Sequence, residues 1–321
     1  MAEEYIYLSH KYGTFLDWFQ AGGGNISVKN KNILYIKQSG TAVCEAKYVK
    51  CNIDKLLDNL TSPDDNFNDC IIDDNTVGVG VGVGIPSIEV WFHTFTKKYT
   101  VHMHPCQLVN ILCTESNNKN INNKDILSIP YMNPGKELSN EIYKKYNNES
   151  IIYLLNHGII FTNDSIEELH SLIVSILKPD ENIFILLGIE TISKNNLIWK
   201  SKINSNTEKQ YCESGELKMY IPDIAIYLGY EILNLSGPNV ATKNSESLCI
   251  NDYITKYNRT PVIIIYDNVY YIIAATKKKY YDIEEMLESY ITFNKYGTKT
   301  IDSNNIDKLM NWDREKYRQA L

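Results

Sequence analysis

The sequence lacks any run of about 18 apolar residues, the length a membrane-spanning helix needs. Its longest apolar stretches, residues 183–189 and 261–275, are strand-sized or interrupted by Asp and Asn, so no membrane partner is expected. It also lacks a secretory signal: Met1-Ala2-Glu3-Glu4-Tyr5 opens on acids, with no basic stretch and apolar run behind it. A cytoplasmic location is the expectation. The seven cysteines, at 44, 51, 70, 106, 113, 212 and 249, are odd in number and include no CxxC pair. That pattern argues against a disulfide scaffold and against a thiolate zinc site. They read as reduced, buried thiols, with Cys106 set apart by lying two residues after a candidate ligand, His104. A basic balance is missing too. The net charge of -7 argues against a nucleic-acid partner, while leaving room for a local basic pocket that takes a small phosphate ester. Neither GxGxxG nor a Walker sequence occurs.

What is present is ordinary for a soluble globular protein. With 44% hydrophobic and 22% charged residues over 321 positions, the chain can bury a large core. Tyr5, Leu8, Tyr12, Leu16 and Phe19 recur at helical spacing, which predicts an amphipathic helix over residues 4–20, stopped by Gly22-Gly23-Gly24. Two strands follow, 25–29 and 33–37, around a turn at Asn30-Lys31-Asn32. Ser87 is expected to cap a helix over 87–97, and residues 99–103, 151–155 and 159–161 read as strands. Helices are expected at 138–145 and 165–177, the second with a capping box of Ser165 and Glu168. The polar stretch 190–218 reads as a boundary, giving domains of 1–200 and 215–321. In the second, strands are expected at 225–228, 261–266 and 269–275, the last two joined by a hairpin at Asp267-Asn268. Helices at 283–293 and in the tail to Leu321 complete it. The fourfold Val-Gly repeat over 77–84 reads as an edge-strand or flexible insert, the other reading being a glycine loop around an anion.

Three groups of residues carry chemistry. His102-Met103-His104 lies on a predicted strand, where residues two apart share a face and both imidazoles converge. Asn156-His157-Gly158 adds a third imidazole at a strand end. Three neutral imidazoles with an open fourth position are the pattern of a catalytic divalent site, although spacing alone does not bring position 157 to 102 and 104. Pro86-Ser87-Ile88-Glu89 reads as a helix N-terminus suited to an anion, with Glu89 otherwise an ordinary first-turn acid. Gly22 through Ser27, together with Gln38-Ser39-Gly40-Thr41, places small residues and free amides at strand ends, where they can form a nest for phosphate.

Taken in order, Gly-Gly-Gly-Asn-Ile-Ser, Ser-Gly-Thr, Pro-Ser-Ile-Glu, His-Met-His-Pro, Pro-Tyr-Met-Asn-Pro-Gly and Asn-His-Gly resemble the motif series of the class II aldolase/adducin family. The likeness runs from about residue 10 to 190. It looks closest to the aldolase half of rhamnulose-1-phosphate aldolase/dehydrogenase fusions, whose dehydrogenase half would need several hundred more residues. Gln38, where a Gly is expected, and the Val-Gly run depart from the pattern. The resemblance implies an α/β fold of three αβα layers with a largely antiparallel central sheet, plus a smaller C-terminal α/β unit. It implies Zn²⁺, or another divalent metal, on His102, His104 and His157, with Glu89 as a fourth ligand that becomes the catalytic base. It implies a phosphate held by Asn25, Ser39, Gly40, Ser87 and Ile88, and a general acid, Tyr131, reaching into a neighbouring subunit of a homotetramer. Tyr131 also reads simply as a loop aromatic beside Pro130. His93 is read as packing or as support behind the site, and His10 and His170 as structural. The implied reaction is aldol cleavage of a ketose-1-phosphate of the rhamnulose- or fuculose-1-phosphate kind. The same family offers 4-epimerisation of a pentulose phosphate, dehydration of a sugar phosphate, or a non-catalytic adducin-like binding role.

Overall fold

In the computed structural model the described residues are 1–63, 66–72, 84–113, 126–189, 192, 196–203, 215–235, 243–296 and 299–311. Cys212, the Asn-rich stretch 115–124, the Val-Gly repeat apart from Gly84, and the tail beyond 311 lie outside them. The chain divides between Pro179 and Asp180 into two compact units.

The first unit is built on a seven-stranded sheet. Its strands are β1 (Asn25–Asn30), β2 (Ile33–Lys37), β3 (Tyr48–Asn52), β4 (Tyr99–Met103), β5 (Ile126–Ile129), β6 (Ile151–Leu154) and β7 (Gly158–Asn163). Their order is β3-β2-β1-β4-β7-β6-β5, and every pairing is antiparallel except β5 with β6. Alternation along each strand sends one set of side chains to each face. Leu34, Ile36, Ile152, Leu154 and Ile160 face a helical layer formed by α2 (Ile53–Thr61), α3 (Phe92–Phe95) and α5 (Lys136–Lys145), through Leu56, Leu60, Phe92, Leu138 and Ile142. A short α4 (Val109–Leu112) follows β4. The other face receives α1 (Ala2–Gly13) and α6 (Ile166–Leu177). This is the expected three-layer αβα arrangement with a largely antiparallel sheet.

Two helices are shorter than the periodicity predicts. α1 ends at Gly13, where a Cβ would lie 2.5 Å from the Cys44 amide nitrogen. The backbone turns away there, and Phe15 stacks on Trp18 with centroids 4.2 Å apart. The helix expected over 87–97 is confined to α3. Ahead of it, Val90 donates to the Ser87 carbonyl in a single tight turn, and the Ser87 amide is drawn off to the Lys37 carbonyl. At α6, Ser165 caps by accepting from the Glu168 amide. The reciprocal half of the box is absent, because the Ser165 amide donates to Asn163 instead.

The second unit has a five-stranded mixed sheet of β8 (Leu197–Lys200), β9 (Gly215–Glu216), β10 (Glu231–Asn234), β11 (Ile263–Tyr266) and β12 (Val269–Ala274), ordered β8-β12-β11-β10-β9. Asp267 and Asn268 both take positive φ, 49° and 59°, and close the β11–β12 hairpin as expected. The helices are α7 (Asn182–Leu187), α8 (Lys243–Tyr257), α9 (Lys277–Tyr296) and α10 (Ser303–Met310). α9 buries Tyr280, Ile283, Leu287 and Tyr290 at helical spacing, with Tyr280 stacked on Trp199 at 5.1 Å. The strand expected at 225–228 is a π-helical turn, Ile224–Leu228, closed by Gly229 at φ 82°. Ile224, Ala225 and Leu228 are fully buried there; so short an apolar run has no period that separates strand from buried helix.

Candidate functional site

The site grows out of the β1–β4–β7 centre of the first sheet. His102 sits opposite Asn25 across the β1–β4 ladder and opposite Ile160 across the β4–β7 ladder, with no exposure. His104 follows two residues on, just past the strand, its amide tied to the Trp18 carbonyl at 2.9 Å. His157 projects from the β6–β7 turn, which Asn156 enters in the left-handed region at φ 56°. The turn therefore returns His157 to the pair, and the candidate ligand atoms of His102, His104 and His157 all lie within 4.8 Å of one another.

The donor set fits a divalent cation. His102 gives its Nδ1 proton to the Ile159 carbonyl at 3.1 Å, which leaves a bare lone pair on Nε2. That nitrogen lies 3.1 Å from Nε2 of His104 and 3.3 Å from Oε2 of Glu89. The other Glu89 oxygen, Oε1, lies 3.4 Å from Nε2 of His157 and has no hydrogen-bond partner although buried. Burial, with His104 adding to it, holds His102 well below the ordinary histidine range. Burial lowers His104 as well, and brings His157 down to about 4. Three neutral imidazoles beside a carboxylate offer nitrogen lone pairs and negative charge, the complement of a bound cation. Burial raises the Glu89 pKa, opposed by His157, Asn25, His104 and Lys37.

Behind the cluster runs a buried chain of hydrogen bonds. Asn25 Nδ2 donates to Glu89 Oε2 at 2.9 Å and to Ser87 Oγ at 3.1 Å. Its Oδ1 lies 2.5 Å from Nε2 of His93, whose Nδ1 lies 2.7 Å from Ser27 Oγ. Asn25, Ser27 and His93 are at most 1% exposed.

Of the phosphate-binding candidates, Asn25 and Ser87 stand against Glu89, and the backbone ties Ser39 to the segment just ahead of Ser87. Ser39 donates its amide to the Ile85 carbonyl at 2.8 Å, and Gln38 bridges Pro86. Gly40, at φ 76°, has open space where a Cβ would be. Ile88 is exposed. Tyr131 is 56% exposed in the segment between β5 and α5 and has no hydrogen bond or ring contact among the described residues, so it is not drawn to the cluster within the chain. The two departures from the family pattern meet in space: a Cβ on Gly84, the last Gly of the Val-Gly run, would lie 2.6 Å from Gln38 Cδ.

Sequence reasoning passed over Lys37. It ends β2, is 2% exposed, and donates to the Gly22 carbonyl at 2.9 Å. Burial brings its pKa down to about 8, against the pull of Glu45 and Glu89. The signal was a lysine closing an apolar strand immediately before the Gln-Ser-Gly turn.

Residues 3–177 match the model of the Class II Aldolase and Adducin N-terminal domain. That is more than half of the 321 residues, and the chain belongs to this family. Among solved structures, it is similar to the N-terminal class II aldolase domain of a conserved Thermoplasma acidophilum protein, at 21% identity and a TM-score of 0.46, over 56% of this chain and 92% of that one. An aldolase II superfamily protein from Pseudomonas syringae matches at 17% identity and TM-score 0.39, over 56% and 79% of the two chains. L-fuculose-1-phosphate aldolase from Thermus thermophilus matches at 14% and 0.34, over 58% and 96%. Comparison with curated proteins gives no match. No helix among the described residues is long and apolar enough to cross a membrane.

Proposed function

We propose that this protein is a zinc-dependent carbon–carbon lyase that cleaves a ketose-1-phosphate into dihydroxyacetone phosphate and an aldehyde. The observation that carries the reading is the convergence of three imidazoles on one another, two of them within 3.4 Å of the buried Glu89 carboxylate. His102, His104 and His157 would hold the metal, and an all-imidazole set suits Zn²⁺. A divalent cation bound there supplies Lewis acidity toward the substrate's carbonyl and adjacent hydroxyl oxygens.

The chain's own groups do the rest. Glu89 moves the proton, its basicity raised by burial and its direction fixed by Asn25. Ser39, Gly40, Ser87 and Ile88 are assigned to the phosphate, and Lys37 supplies positive charge beside them, while Asn25, first expected among the phosphate ligands, gives its amide protons to Glu89 and Ser87 instead. Tyr131, exposed and without a partner among the described residues, is assigned as general acid to a neighbouring subunit of a homotetramer. The catalytic work, expected in residues 1–200, is assigned to the first unit, Met1–Pro179, since β8 at 197–200 belongs to the second sheet; the region 215–321 is an extension, and the protein is assigned to the cytoplasm.

The test is metal analysis of the purified chain, then incubation with a panel of ketose phosphates while scoring dihydroxyacetone phosphate. About one divalent ion per chain and release from a 1-phosphate are expected. A chain that takes up no Zn²⁺, Mn²⁺ or Co²⁺ sinks the metal reading. Turnover of pentulose phosphates without carbon–carbon cleavage replaces lysis by epimerisation. Mixing Tyr131→Phe with His157→Ala protein is expected to restore part of the activity, since each mixed oligomer holds some intact shared sites. Failure to restore any places each site within one chain.

A further inference from the structure

The chain Ser27–His93–Asn25–Glu89 has a direction, and the proton count fixes it. Glu89 as a carboxylate only accepts, so the Asn25 group facing it at 2.9 Å is the amide N–H₂, whose second proton goes to Ser87. The oxygen of that amide then faces His93 Nε2 at 2.5 Å and requires a proton from it. His93 is fully buried, and burial, with His102 and Lys29 adding to it, holds its pKa well below the ordinary range, so its ring carries a single proton. With that proton on Nε2, Nδ1 accepts from the Ser27 hydroxyl at 2.7 Å. Every donor then finds an acceptor: Ser27 gives to His93, His93 to Asn25, and Asn25 to Glu89 and Ser87. With the Asn25 amide turned over, its oxygen would face the Glu89 carboxylate, two acceptors with no proton between them in a buried site.

We propose that His93 is a positioning residue whose Nε2–H locks the Asn25 amide in the orientation that holds and aims the Glu89 carboxylate. This rests on the reading of Glu89 as the proton-transferring base. His93 is not among the three clustered imidazoles; it acts through Asn25. Ser27 supports it in turn by selecting the tautomer.

The first arm of the test needs neither a variant nor turnover. Long-range ¹H–¹⁵N correlation spectra of the intact, ¹⁵N-histidine-labelled protein at pH 7 report which ring nitrogen of His93 carries the proton. Nε2–H with a bare Nδ1 is expected; an Nδ1–H tautomer or a doubly protonated ring overturns the proposal. The second arm is kinetic. His93→Leu removes the donor and is expected to lower kcat by about 10- to 100-fold, with KM and metal content little changed. His93→Gln, whose amide can donate to Asn25 and accept from Ser27, is expected to recover most of that loss. Ser27→Ala guards against a His93 variant that fails to fold, and a several-fold fall in kcat is expected from it. Wild-type kcat in a folded His93→Leu protein, or no difference between Leu and Gln, overturns the assignment. If the wild-type protein turns over no ketose phosphate, the proposed reaction fails while the spectra still decide the direction of the chain.

Discussion

Glu89 lies within 3.4 Å of two imidazoles, and His157, Asn25, His104 and Lys37 oppose its neutralisation by burial. Removing the charge while keeping the shape isolates its role. Glu89→Gln is expected to retain metal and substrate binding and to lose about 10²–10⁴ in kcat; normal turnover would reduce Glu89 to a buried neighbour of the cluster. Lys37 invites a different test, because its burial is a stability statement. Its folded pKa, about 8, lies below the ordinary lysine value. Below pH 8 both states hold the proton and the folded protein bears the whole penalty. As the pH rises above 8, the unfolded chain holds the proton more than the folded one, and stability rises until both have lost it. Lys37→Met is therefore expected to stabilise the protein at pH 7 by on the order of 3 kcal/mol. The gain should shrink toward zero near pH 11 and come with weaker affinity for a phosphate ester. Urea unfolding at pH 7 and pH 10 measures the first effect, and inhibition by inorganic phosphate the second.

At the scale of elements, the site depends on how closely β7 can approach β4. A Cβ at Gly158 would lie 2.5 Å from the Met103 carbonyl, 2.8 Å from His104 Cδ2 and 3.0 Å from His102 Cε1. Gly158→Ala, which alters no ligand, is expected to weaken metal affinity by at least about tenfold, since displaced supports typically cost this much. Calorimetric titration with Zn²⁺ checks it, and unchanged affinity would show that the strands absorb the methyl group. The same elements show what the sequence made legible. His102 and His104 could be put on one face because a strand has period two, and the Asp267-Asn268 hairpin could be read because its turn chemistry is local. That His157 returns to the pair rests on Asn156 and on pairing across the sheet, which spacing does not encode. β8 was hidden because Leu197-Ile198-Trp199 is a short apolar run inside the polar stretch 190–218. A supporting role for His93 could be read, but its link to Ser27 and Asn25 could not, because that link forms only where β1 meets α3.

At the scale of the molecule, the three imidazoles, Glu89 and the hydrogen-bond chain behind them all fall within Met1–Pro179, one of the two compact units. Each unit has its own sheet and its own buried core. A chain ending after Pro179 is expected to fold and to bind one Zn²⁺ with an affinity within a few-fold of the full chain. Circular dichroism and metal titration of the fragment check this; an unfolded fragment would make the second unit a requirement for the first. The second unit, Asp180–Leu321, would then bear on stability before it bore on any reaction.

β4 lies fourth among seven strands, with His102 and His104 at its end and His157 on the turn between β6 and β7. An ion gripped by all three would act as a reversible cross-link, stitching the middle strand to a turn the chain reaches much later. Its strength would be set from outside, by the free metal concentration. At 100 times the dissociation constant such a ligand adds about 2.7 kcal/mol to the folded state. A strong chelator is therefore expected to lower the melting temperature and hasten proteolysis of the intact chain, and added Zn²⁺ to reverse both. A cell short of metal would lose this protein by turnover as well as by inactivity.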